Sequence, residues 1–472
     1  MKASPFWNDR RVNKALNLTP ETRSKICFSG ISTDSRSVSK GDLFVALIGD
    51  NFDGHDFISK AVKNGAEGLV VSRPVQLEEE SIPIFRVEDT LEALGDLAKY
   101  LRVYLDIIVV AITGSTGKTG TKDLIQAAIE GCYESHCTRG NQNNRVGVPL
   151  TLLSTPATTE VVVLELGTNQ PGEIERLTEI AGPQIAVITT VSESHTQRLK
   201  SFDGVMKEKL DLLRGLPSSG TALVGENPKD LSNKAKEIVE KVLVIGSDVH
   251  SSVEYRPEHV HMDQDGFYGF SWREEKVELK VPGRHSVQNC QMALAVADVL
   301  RVPASIAIKG VGRVKASKMR METLRVGNLT LILDCYNANP QSVESALEHL
   351  SMIDQNRAKV AFLGSMLELG DDSEQLHQKL LAQAMSLDLD LVVATGLFAA
   401  GSLEKKGGRT TKGCGIVSVA DPYTAYEEVR DCMNGDEVVL LKASRGVNLE
   451  KLIPYFESDF EMEGISQDGV EI

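Results

Sequence analysis

No apolar run in this chain of 472 residues approaches the roughly 18–20 residues that a membrane-spanning helix needs. The opening stretch, from Met1 to Asp9, has no apolar core of the kind a signal peptide carries. A cytoplasmic location without membrane insertion is therefore expected. Positive charge is also in short supply: 51 Lys and Arg stand against 66 Asp and Glu, a formal net charge of −15. That balance argues against non-specific nucleic-acid binding, and it leaves any anionic substrate dependent on locally basic pockets. The seven cysteines, Cys27, Cys132, Cys137, Cys290, Cys335, Cys414 and Cys432, form no Cys-x-x-Cys pair. Their odd number and scatter point to reduced thiols, not to a disulfide frame or a zinc site. The remaining composition is that of an ordinary globular protein, 42% apolar and 25% charged, at a length that suits about three domains.

The strongest positive signal is Ile112-Thr113-Gly114-Ser115-Thr116-Gly117-Lys118-Thr119, which follows an apolar stretch and precedes a helical pattern expected to begin near Lys122. Strand, glycine turn and helix in that order aim backbone N–H groups and a helix N-terminus at one spot, which suits a phosphate. Lys118 can reach the β- and γ-phosphates, and the Thr119 hydroxyl can ligate Mg²⁺. The commonest spelling of such a loop needs a glycine where Ile112 sits. Binding of a nucleoside triphosphate is expected.

Residues 1–106 hold short predicted strands, at 43–47 and 68–72, and helical periodicity over 91–97. Residues 107–315 alternate apolar strand runs, such as 161–164 and 185–189, with helical stretches, the sign of a parallel α/β sheet. Asp263-Gln264-Asp265-Gly266 reads as a hairpin turn in a strand-rich stretch. Residues 316–472 return to the strand–helix rhythm, with strands predicted at 329–333, 360–363, 391–394 and 437–441, like a doubly wound domain.

Glu165 ends the strand 161–164, where open α/β sheets bind ligands. It reads either as a metal carboxylate opposite Thr119 or as a plain surface acid. His195 is by itself a lone loop histidine, and Lys207 and Lys209 by spacing alone form a solvated basic face. His259 and His261 have no carboxylate or cysteine pattern beside them and read as structural. The cluster around Asn143 and Asn144 offers donors and acceptors for a base, amide or sugar, although ordinary loops use the same residues. A second such cluster, Tyr336-Asn337-Ala338-Asn339-Pro340, follows Asp334 at a strand end, a common place to contact a ribose hydroxyl.

Together these blocks resemble the Mur ligases. Residues 113–119 are similar to that family's shorter Gly-x-x-Gly-Lys-Thr loop, which accommodates Ile112. Thr33-Asp34-Ser35-Arg36 with 41–46 and 53–55, and then 140–153, 165–173, 282–289, 334–340 and 442–446, resemble the dipeptide-adding branch. The resemblance implies an α/β fold of three domains: 1–106, a small domain binding the UDP end of the substrate; 107–315, a central parallel-sheet ATPase domain with the phosphate loop; and 316–472, a Rossmann-like domain closing over ATP. It implies an ATP-dependent ligase of peptidoglycan precursor synthesis. Such an enzyme joins D-Ala-D-Ala to the terminal carboxylate of UDP-MurNAc-tripeptide through an acyl phosphate, releasing ADP and phosphate. ATP, two Mg²⁺ and a monomeric state are expected with it.

By position, the resemblance gives Gly114, Ser115, Thr116, Gly117 and Lys118 to the phosphates, and Thr119 with Glu165 to one Mg²⁺. His195 falls at a ligand of a second Mg²⁺. Lys209 aligns with a lysine that the family carbamylates, with Lys207 as the competing position. Asn289 corresponds to an adenine contact, Arg320 to an arginine reaching the γ-phosphate, and Asp334 to the ribose acid. Ser35, Arg36, Asn143, Asn144, Asn337 and Asn339 fall in substrate-binding blocks. The chain departs from the family pattern at Cys335 (usually serine), Met319 (usually glycine), Ser365 (usually aspartate) and across 190–197. The neighbouring alternatives are the branch that adds the third stem residue and folylpolyglutamate synthase. A nucleotide switch that makes no bond is disfavoured for guanine, because Asn233-Lys234-Ala235-Lys236 lacks the recognising acid.

Overall fold

The apolar strand runs of this chain are buried on both faces, as parallel strands are when helices cover each side. In the computed structural model the described residues are 6–19, 26–49, 51–77, 82–193, 196–400 and 414–460. The central sheet has the spatial order Ser135–Cys137, Val161–Glu165, Ile108–Thr113, Ile185–Ile188, Thr221–Gly225, Val242–Ile245, with every neighbour parallel. Along Ile108–Thr113 the side chains alternate between two cores. Val110 and Ile112 pack with Leu124, Ile125 and Ala293, whereas Val109 and Ala111 pack with Val148, Leu177 and Leu213. Each of the Val, Leu and Ile side chains contributes about 1.5–3 kcal/mol on burial. The direction of strand addition reverses at Ile108–Thr113, which places a crevice at the C-terminal strand ends on either side of it.

A smaller parallel sheet precedes this one, in the order Ile31–Ser32, Asp42–Val45, Ala66–Val71, Ile84–Arg86. The turn at 263–266 joins Glu258–Met262 to Phe267–Trp272, and Glu275–Pro282 completes a three-stranded antiparallel sheet. The third body is a six-stranded sheet ordered Glu322–Val326, Leu329–Asp334, Val438–Lys442, Lys359–Leu363, Leu391–Ala394, Gly415–Ser418, parallel except for its first strand. The expected α/β class, with a parallel central sheet and a Rossmann-like C-terminal one, is what the chain adopts. Among the described residues no helix is long and apolar enough to cross a membrane.

One boundary differs from expectation. The helix after the glycine loop begins at Lys118, not near Lys122, and runs Lys118–Ile129. Gly117, at φ +80°, turns the chain sharply enough for the next residue to be helical. Lys122 is buried inside that helix, its Nζ donating to the Thr138 carbonyl at 2.9 Å.

Candidate active site

The phosphate loop owes its shape to two glycines. A Cβ at Gly114 (φ +148°) would lie 2.0 Å from Thr189 Oγ1, and one at Gly117 would lie 2.7 Å from Asn289 Oδ1. Gly117 caps the helix Lys118–Ile129 without a side chain, so among the described residues no capping side chain competes for its first N–H groups. Those groups and the helix dipole are available to an anion. Lys118 Nζ donates to the Gly114 carbonyl at 2.7 Å, folded back over the loop. Burial lowers the Lys118 pKa, and the Arg320 cation lowers it further, against the opposing pull of Glu165.

The parallel register sets Glu165 level with Ile112, at the same height as the loop. Glu165 is 1% exposed, and its two oxygens have separate partners. Thr119 Oγ1 donates to Oε2 at 2.8 Å, and Asn143 Nδ2 donates to Oε1 at 2.8 Å. A buried carboxylate beside a hydroxyl is a hard-oxygen pair of the kind Mg²⁺ accepts while keeping waters and phosphates for its other positions. Among the described residues no three His, Cys, Asp or Glu side chains converge as a metal cluster. The donor set therefore fits a shared site on a phosphate better than a closed protein cage.

Phe202–Arg214 is the helix that brings Lys209 to this end of the sheet. Lys209 is 2% exposed, whereas Lys207 points to solvent. Burial, reinforced by the Lys118 cation, pulls the Lys209 pKa down to about 7, with Glu208, Glu173 and Glu165 opposing. Glu208, which the sequence did not single out, is also buried. It accepts from Thr168 Oγ1 at 3.1 Å, Gly172 N at 2.8 Å and Ile174 N at 2.9 Å. This acid fixes the helix Phe202–Arg214 against the start of Glu173–Ala181 and so sets the height of Lys209.

A cavity of about 360 Å³ separates the central and C-terminal sheets. Ser115, Thr116, Gly117, Thr119 and Asn289 line one side, and Arg320, Asp334, Asn337 and Asn339 line the other. The Arg320 guanidinium lies 3.9 Å from the centre of the Tyr336 ring. Met319, where the family usually has glycine, has φ +57°, the conformation glycine adopts most easily. Parallel register pairs Asp334 with Lys442, and Lys442 Nζ reaches Asp334 Oδ2 and the Asn337 carbonyl, each at 2.7 Å. Gln341 was not anticipated, yet its Oε1 lies 3.4 Å from both Thr116 Oγ1 and Thr190 Oγ1, joining the C-terminal domain to the loop. Its position directly after the Tyr-Asn-Ala-Asn-Pro block was the available signal.

Other expected residues have local duties or lie elsewhere. Asn339 Oδ1 accepts from Ser342 N at 2.9 Å, capping the helix Pro340–Met352. Asn144 Oδ1 accepts from Gly147 N at 2.8 Å and Val146 N at 3.1 Å. Ser35 and Arg36 belong to the N-terminal sheet region and do not line the cavity. Exposed Arg36 pairs with Asp34 at 2.7 Å, and its hydrogen bonds hold the Asp34 carboxyl down to about 2. Cys335 is buried and donates to the Leu441 carbonyl at 3.1 Å. His195 lies outside the described residues.

Residues 28–102 match the Mur ligase family catalytic domain, 112–297 the Mur ligase middle domain, and 319–445 the Mur ligase glutamate ligase domain. The UDP-N-acetylmuramoyl-tripeptide–D-alanyl-D-alanine ligase of Bacillus subtilis is 33% identical over 434 residues, covering 90% of this chain and 92% of its own length. The chain belongs to the Mur ligase family. Among solved structures, MurF from Acinetobacter baumannii shares 29% identity with this Mur ligase at a TM-score of 0.85, covering 96% of this chain and 99% of that one. MurF from Thermotoga maritima, solved in complex with ADP, shares 26% identity at a TM-score of 0.81, over 92% of this chain and 98% of its own.

Proposed function

We propose that this Mur ligase joins D-Ala-D-Ala to the terminal carboxylate of UDP-MurNAc-tripeptide at the expense of ATP, in the cytoplasm and as a monomer. The observation that carries the site assignment is Glu165, buried and held between Thr119 and Asn143 beside a helix N-terminus with no side-chain cap. The match to dipeptide ligases over nine-tenths of the chain supports the choice of substrates. It also disfavours the third-residue branch and folylpolyglutamate synthase.

The tripeptide carboxylate attacks the γ-phosphorus, the bond to the β–γ bridging oxygen breaks, and ADP leaves. The amine of D-Ala-D-Ala then attacks the acyl phosphate carbonyl, loses a proton, and phosphate departs. Bringing a carboxylate to a triphosphate sets anion against anion. Lys118 and the helix N-terminus bind the phosphate side, and Arg320 approaches from the facing domain. Mg²⁺ held by Thr119 and Glu165 would supply charge neutralisation on the phosphates. Positioning supplies much of the remaining rate, since no covalent nucleophile on the protein is required.

Lys209 is assigned as the carbamylated lysine. An amine adds to CO2 only when unprotonated, and burial brings its pKa to about 7. The product is an anionic oxygen ligand in place of a cation, which would serve a second Mg²⁺ together with His195. Ser35 and Arg36 are assigned to the UDP end of the substrate, Asn289 and Asp334 to the nucleoside of ATP, and Asn337 to the peptide substrate. An acceptor exchange tests the reading. The pair UDP-MurNAc-tripeptide and D-Ala-D-Ala should give the pentapeptide product, whereas folate with glutamate, or UDP-MurNAc-dipeptide with a diamino acid, should give none. Turnover of either substitute pair at a comparable rate overturns it.

A further inference from the structure

His349 has unmet bonding capacity on the wall of the ATP cleft. It sits near the end of the helix Pro340–Met352, is 1% exposed, and neither ring nitrogen has a hydrogen-bond partner among the described residues. Buried polar groups without partners are rare, because each gives up its water without a replacement bond. Burial, with a smaller contribution from His285, pulls its pKa down to about 4. The neutral ring therefore offers one donor and one acceptor.

Its place along the helix says what it can reach. Gln341, Ser345, His349 and Met352 recur at helical spacing, and all line the cavity. Gln341 touches the phosphate loop through Thr116. His349 lies eight residues further on, about 12 Å along the axis at 1.5 Å per residue. A nucleotide with its phosphates on the loop and its body along this helix would present its base at that level. The ring is enclosed by the central domain's hairpin. A Cβ at Gly266 (φ +84°) would come within 2.8 Å of His349 Cε1, and the Tyr268 ring centre is 6.3 Å away.

We propose that His349 hydrogen-bonds the polar edge of the purine base, a turn of the ring about χ2 bringing one nitrogen into the cleft. The χ2 torsion of histidine is broad enough to permit this. The inference rests on the ATP-binding reading above, and adds a base-recognising residue from the C-terminal domain to Asn289 on the opposite wall.

Calorimetric titration of the full chain with ADP and with CDP tests it, using H349F and H349Q. Phenylalanine keeps the ring's bulk without its nitrogens, and glutamine keeps a donor and an acceptor without the ring. The wild type should prefer ADP. H349F should lose about tenfold in ADP affinity with CDP little changed, and H349Q should keep most of the preference. The opposite pattern, a neutral H349F and a destabilised H349Q that weakens both nucleotides equally, assigns His349 to packing and overturns the inference. If the wild type binds neither nucleotide, the ATP-binding reading falls and takes this one with it. If it binds both but H349F keeps the full ADP preference, only the His349 assignment falls.

Discussion

The two walls of the cleft are built differently. On the central wall the buried acids are fully engaged: Glu165 holds Thr119 and Asn143, and Glu208 holds three donors from one loop and helix start. On the C-terminal wall Lys442 holds Asp334 and the Asn337 carbonyl at 2.7 Å each, but the helix that faces the central domain is less engaged. Gln341 meets the loop at 3.4 Å, and among the described residues neither ring nitrogen of His349 has a hydrogen-bond partner. On the function proposed above, the central wall is organised in advance for phosphate and metal, which spares reorganisation when charge develops. The C-terminal wall keeps bonding capacity in reserve for the nucleotide.

The sharpest way to break this contrast is Lys118→Ala. Phosphate release should fall by at least about 10²–10³-fold, the usual cost of removing a preorganised charge from a transition state. The circular dichroism spectrum should be unchanged, because the Lys118 ammonium bonds a loop carbonyl and not the core. Retention of full activity would remove the loop from the reaction.

Lys209 carries the next largest effect. Lys209→Ala should abolish most turnover, and added short carboxylic acids should restore part of it by replacing the missing oxygen ligand. The absence of rescue would favour a plain structural lysine. Its pKa, lowered from 10.5 to about 7, also fixes a pH dependence. Between about 7 and 10.5 the unfolded chain binds more protons at this site than the folded one, so this site makes stability rise with pH across that window. Lys209→Met should flatten the slope in chemical denaturation series, with Lys118 retaining a share of the same sign. Enzyme stripped of CO2 should regain activity with bicarbonate more completely at pH 8 than at pH 6.

Gln341→Ala should have the smallest effect. It removes two long contacts, to Thr116 of the loop and to Thr190, each at the lower end of the roughly 0.5–1.5 kcal/mol of a hydrogen bond, and so should weaken ATP binding about fivefold. A loss as large as that of Lys118→Ala would mean that the C-terminal wall is as preorganised as the central one.

The sequence disclosed the central wall better than the facing one. Period and composition located the strands ending at Thr113 and Glu165, and the loop residues followed directly from them. Glu208 was missed because an acid on a helix reads as solvated until the packing shows which backbone amides it meets. Gln341 and His349 were missed for a related reason: both matter across a domain boundary, and no local pattern encodes that juxtaposition. Spacing alone did not separate Lys209 from Lys207; the family resemblance favoured Lys209, and it is the one of the two that is buried. Met319 was recognisable as a departure from the family pattern, but its left-handed backbone was not.

The most direct test of the central claim is a phosphate-release assay in which each substrate is withheld in turn. Release should be rapid only when ATP, UDP-MurNAc-tripeptide and D-Ala-D-Ala are present together. Release at the same rate without D-Ala-D-Ala, or with no peptide substrate at all, would contradict it.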